Sequence, residues 1–79
     1  MYFVYMLRSD KDGSYYVGLT KNLRRRLLAH NQHAAQYTST KAPFRLVWYC
    51  VFASRTKAAA FERYLKSGSG FAFARKRLV

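Results

Sequence analysis

Five side chains and one glycine have types and spacings that point to chemistry. In TKAAAFERYLK, Ala58, Phe61 and Leu65 define an apolar helical face, and Glu62 falls inside it, where an unpaired carboxylate is costly. It is the only glutamate in the chain. Two readings follow: an internal ion pair with an arginine such as Arg26, or a ligand for a divalent cation, since magnesium is commonly held by one or two carboxylates with water and phosphate completing its shell. Arg26 and His30 are an i, i+4 pair on LRRRLLAHN, along one border of the stripe marked by Leu23 and Leu27. Arg24 and Arg25 point to solvent. Arg26 either holds its guanidinium against a sheet or snorkels, with its stem on apolar surface and its head in water. Tyr5 and Tyr16 share a sheet face, together with Gly18 and Thr20, if the turn between their strands holds an even number of residues. Gly18 then leaves open backbone that a phosphate can approach. The plainer reading of both tyrosines is packing, with a satisfied hydroxyl.

These residues need elements to position them. MYFVYMLRS, DKDG and SYYVGLT read as strand, turn and strand, a hairpin with Asp10 and Asp12 in its turn. A helix is expected from about Asn22 to Asn31, capped by Thr20 or Asn22. HNQHAAQYTSTKAP reads as a polar loop ending at Pro43, with His33 solvent-exposed in it. FRLVWYCVF reads as a strand buried on both faces or at the centre of a small sheet, with Trp48 in the core and Cys50 a packed thiol. Ser54 or Thr56 caps a second helix to about Lys66, which stops at SGSG, and FAFARKRLV is a candidate short third helix. The fold class is α+β: a small three-stranded, mainly antiparallel sheet covered by helices, in one domain spanning residues 1–79.

Composition bounds the partners. Fifteen Lys and Arg against three Asp and Glu give a net charge of +12, a surface that attracts polyanions, nucleic acid first and then anionic membranes or acidic proteins. Lys21, Arg24, Arg25, Lys66, Arg75, Lys76 and Arg77 are the candidate phosphate contacts. One cysteine and two histidines exclude a zinc site, and no GxxxxGK[ST] loop is present for nucleotide hydrolysis. No apolar run approaches spanning length and the N-terminus lacks signal-peptide features, so a cytoplasmic location is expected.

Taken together, VYM at 4–6, YVG at 16–18, NLRRRLLAHN, the Pro43 to Tyr49 strand and Ala58 to Lys66 with its embedded glutamate resemble the GIY-YIG nuclease family, and within it the short stand-alone members. The resemblance implies a divalent-metal-dependent endonuclease acting on DNA, or on RNA, with a preference for branched, flapped or damaged structures. It also implies five catalytic residues. Tyr16 deprotonates or orients the attacking water, Tyr5 and His30 belong to its hydrogen-bond network, Arg26 clamps a phosphoryl oxygen, and Glu62 holds Mg²⁺ or Mn²⁺. The first triplet reads Val-Tyr-Met, and the polar residue that follows the glutamate in many members has no counterpart. With no attached DNA-binding domain in these residues, target choice is expected to come from substrate shape, the basic surface or another protein. The alternative, from a different class, is a non-catalytic basic nucleic-acid-binding module on the same scaffold.

Overall fold

The computed structural model describes residues 1–32 and 41–79; the expected loop position of His33 lies outside them. Its elements run β1 (Tyr2–Ser9), β2 (Tyr15–Thr20), α1 (Leu23–Asn31), β3 (Phe44–Phe52), α2 (Arg55–Lys66) and α3 (Gly68–Arg77). Both strand pairings are antiparallel and the sheet order is β2-β1-β3.

The two sides of β1 explain the layering. Val4, Met6 and Val17 pack with Ala58, Leu65 and Ala74 under α2 and α3, whereas Tyr5, Leu7 and Phe44 pack with Leu23 and Leu27 of α1. The sheet is therefore sandwiched, and Val4 through Leu7 are all buried. This corrects the expectation for FRLVWYCVF. The strand buried on both faces is β1, while β3 lies at an edge, with Tyr49 and Val51 exposed and Trp48 and Cys50 only half-buried. Both strands are nearly continuous apolar runs, and such a run does not reveal which strand acquires two neighbours.

Local chemistry sets the element ends. Asn22 caps α1, its side chain accepting from the Arg25 N–H at 3.0 Å, and Ser54 caps α2 by accepting from the Lys57 N–H at 3.2 Å. The SGSG segment is no mere stop, because Ser67 ends α2 and caps α3 at once. Its hydroxyl donates to the Tyr64 carbonyl at 2.6 Å and accepts from the Gly70 N–H at 3.1 Å. A Cβ on Gly70 would run into the Tyr64 carbonyl, so glycine is what lets α3 fold back tightly over the end of α2. The third helix is thus longer than expected and starts within the glycine-serine stretch.

Candidate active site

The hairpin register settles the parity question. Tyr5 pairs with Gly18 and Leu7 with Tyr16, odd against even, so both tyrosines face α1. Their ring centroids are 6.3 Å apart. His30, in the last turn of α1, is fully buried against them: its ring meets Tyr16 edge-on at 4.8 Å, Tyr5 at 6.1 Å and Phe44 at 5.9 Å. One turn earlier on the same helix, Arg26 is exposed as a residue but brings its guanidinium within hydrogen-bonding reach of both phenol oxygens. Four of the five expected catalytic side chains therefore converge.

Burial divides their roles. The Tyr5 hydroxyl lies 3.1 Å from His30 Nε2, and burial, only partly offset by the Arg26 hydrogen bond, pushes its pKa up to about 12. Burial first, and the Arg26 charge second, hold the His30 imidazole below its ordinary value, so it is neutral at pH 7. A protonated phenol facing a neutral imidazole assigns the bond as Tyr5 O–H donating to Nε2, with Arg26 donating to the Tyr5 oxygen. The hydrogen bond to Tyr5 in turn raises the Arg26 pKa, fixing its charge. Tyr5 is sealed from solvent, whereas Tyr16 is only partly covered. Tyr16 is the phenol that water and substrate can reach.

Gly18 plays a different part from the one expected. The space above it is filled by the Tyr5 phenol, and a Cβ would collide with that ring and its hydroxyl. Its backbone on this face is covered and not open to a phosphate; the missing side chain makes room for a tyrosine. The cross-strand pairing of an aromatic with a glycine was the available signal.

Glu62 sits at the border of the α2 stripe, with its side chain 21% exposed, and pairs through Oε2 with Lys66 Nζ at 3.0 Å. The expected ion pair with Arg26 is replaced by this i, i+4 pair, which its spacing made readable. The Glu62 charge reaches the Tyr5 hydroxyl as the weakest of the influences raising its pKa. Among the described residues no group of three or more His, Cys, Asp or Glu side chains could hold a metal. A cation here would have to be held through the single Glu62 carboxylate, with water and substrate phosphate supplying the other ligands.

The basic residues fall into separate groups. Lys21, Arg25 and Arg26 line a shallow groove of about 280 Å³ at the start of α1, and Arg24 is exposed beside it. The Lys21 ammonium lies 5.3 Å from the centre of the Tyr2 ring. Arg75 lies over the Tyr15 and Phe71 rings at 5.3 and 5.9 Å, while Lys76 and Arg77 stand exposed in the last turn of α3. Asn31 went unnoticed in the sequence. Its amide donates to the Phe44 carbonyl at 3.1 Å and accepts the Phe44 N–H at 2.6 Å, clamping the end of α1, and so His30, to the start of β3.

The chain is 42% identical over 65 residues to a UPF0213 protein of Streptococcus pneumoniae (TIGR4), covering 81% of this chain and 65% of that protein. It is 40% identical over 67 residues to a UPF0213 protein of Clostridium perfringens (strain 13), covering 84% and 71%. The match thus spans just under two thirds of the length of the pneumococcal relative. The solution NMR structure of the UPF0213 protein BH0048 from Bacillus halodurans superposes with a TM-score of 0.60 at 32% identity, over 99% of this chain and 87% of that one. A family model described as the GIY-YIG catalytic domain matches residues 1–76, and the chain accordingly belongs to the GIY-YIG family.

Proposed function

We propose that this protein is a divalent-metal-dependent endonuclease that hydrolyses DNA phosphodiester bonds at branched, flapped or damaged structures, with residues 1–79 forming one catalytic domain that acts in the cytoplasm. The observation that carries the reading is the convergence of Tyr5, Tyr16, Arg26 and His30 on one side of the sheet, with a single guanidinium facing two phenols.

Each residue has a part that its surroundings support. Tyr16, the accessible phenol, orients the attacking water and serves as its general base. Tyr5 keeps its own proton and stands between Arg26 and His30, so that neither can swing away from Tyr16. Arg26 has five N–H donors, enough to hold the phenols and still clamp a phosphoryl oxygen as charge builds there. Lys21 and Arg25, in the groove that leads to Arg26, engage neighbouring backbone phosphates. Glu62 would hold Mg²⁺ or Mn²⁺, which supplies charge neutralisation at the phosphoryl and leaving oxygens. Among the described residues no helix is long and apolar enough to cross a membrane.

The test is incubation with end-labelled flap, branched and plain duplex DNA, with Mg²⁺, with Mn²⁺ and with chelator. Wild type should cut the first two preferentially, and Tyr16→Phe should lose roughly 10²- to 10⁴-fold in rate. Full cleavage by Glu62→Gln removes the metal-ligand assignment. One observation favours the second reading, a binding-only module: Glu62 already has a cationic partner in Lys66. That reading predicts steeply salt-dependent binding and no cleavage with either metal.

A further inference from the structure

Tyr15 and Tyr16 are neighbours on β2, an edge strand, and point to opposite faces of the sheet. On the face away from α1, Tyr15, Val17, Leu65 and Phe71, with Tyr16 and Lys66 at the rim, line a cleft of about 480 Å³. Its floor is apolar, since Leu65 is fully buried and Val17 nearly so. Its walls are aromatic: the Tyr15 and Phe71 rings meet edge-on at 5.9 Å, and Phe71 remains 36% exposed. Cations surround the rings, with Arg75 over both, Arg8 at 5.8 Å from the centre of Tyr15, and Lys66 at the rim. Aromatic faces interleaved with basic groups are the means by which unpaired bases are held without sequence readout.

The geometry points to this cleft as a subsite for one unstacked base of single-stranded nucleic acid. The base rests on the Phe71 and Tyr15 rings, and Arg75 and Lys66 take the flanking phosphates. Duplex bases, stacked and paired, cannot enter it. A chain of net charge +12 selects an anionic occupant over an apolar peptide. Because β2 is an edge strand, a nucleic-acid strand seated here can pass around it to the Tyr16 phenol on the other face, which brings the bond to be cut next to the seated nucleotide. That last placement rests on the nuclease reading; the binding of the base does not. It gives a physical basis for preferring flaps and branches over plain duplex.

The test uses the intact protein in chelator, where no cleavage occurs, with labelled oligo(dT) of about 12 nucleotides and a duplex of equal length, at constant salt. Phe71→Ala should weaken oligo(dT) binding roughly 5- to 150-fold and leave duplex binding unchanged. Phe71→Trp should keep the affinity, and its fluorescence should be quenched by oligo(dT) beyond the change that Trp48 gives in wild type. Unchanged oligo(dT) affinity in Phe71→Ala, or equal loss with both DNAs, overturns the proposal; so does an unquenched Phe71→Trp, which remains informative if the alanine variant fails to fold. Selective oligo(dT) binding in a protein that cuts nothing with any metal would sink the nuclease reading and leave this subsite standing.

Discussion

Gly18→Ala should destabilise this protein, against the usual sign for a glycine in a strand. Alanine in a strand interior is ordinarily favoured over glycine by about 0.5–1 kcal/mol, through lower backbone entropy in the unfolded chain. Here the new methyl would enter the volume of the Tyr5 ring. That ring is 1% exposed, packs against both the Tyr16 and His30 rings and hydrogen-bonds His30, so it has little room in which to move. Overpacking of this kind costs about 1–3 kcal/mol. The midpoints of the two ranges leave a net loss of about 1 kcal/mol, or roughly 4–8 °C in Tm at about 4–8 °C per kcal/mol for a domain of this size. Urea and thermal unfolding of wild type, Gly18→Ala, Tyr5→Leu and the double variant would check it. In the Tyr5→Leu background Gly18→Ala should become neutral or stabilising, a coupling that only direct contact produces. A Gly18→Ala protein that melts at or above wild type would refute the placement of Tyr5 over Gly18, and with it the reason given for the sealed phenol.

Further outcomes follow from the same contacts. Tyr5→Phe removes the donor facing His30 Nε2 and should cost about 1 kcal/mol in urea unfolding. Asn31→Ala removes both hydrogen bonds to Phe44 and should cost about 1–3 kcal/mol; a cleavage assay should also show a lower rate, because the clamp holds His30. The folded-state pKa of His30 lies below its ordinary 6.5, so the unfolded chain binds the proton more readily. The resulting stability is present above pH 6.5 and declines as pH falls through the lowered folded value; the urea midpoint should drop between pH 7.5 and 5, and less so in His30→Gln. Glu62→Gln breaks a partly exposed i, i+4 pair and should change stability by less than about 1 kcal/mol, so a loss of cleavage in that variant is not explained by unfolding.

What the sequence determined by itself was everything that depends on neighbours along the chain. The helix caps are narrowed to Thr20 or Asn22 and to Ser54 or Thr56, because capping uses side-chain-to-backbone hydrogen bonds within three residues, and Asn22 and Ser54 make them. The shared face of Tyr5 and Tyr16 follows from strand alternation once the turn is even, and the i, i+4 alignment of Arg26 with His30 follows from helical pitch. The positive charge and its preference for polyanions require no fold at all. Tertiary structure decided what depends on residues distant in sequence. Two apolar strands competed for the centre of the sheet, and β1 took it because β2 and β3 both pair with it. Gly18 acquired its purpose from a tyrosine on another strand, and Asn31 its purpose from Phe44. Glu62 turned to Lys66, four residues along its own helix. The aromatic cleft joins β2 to α3 only once Ser67 and Gly70 fold α3 back over α2. Periodicity reports which face of an element is apolar; which element meets that face is set by packing of the whole chain, where many long-range contacts are made together.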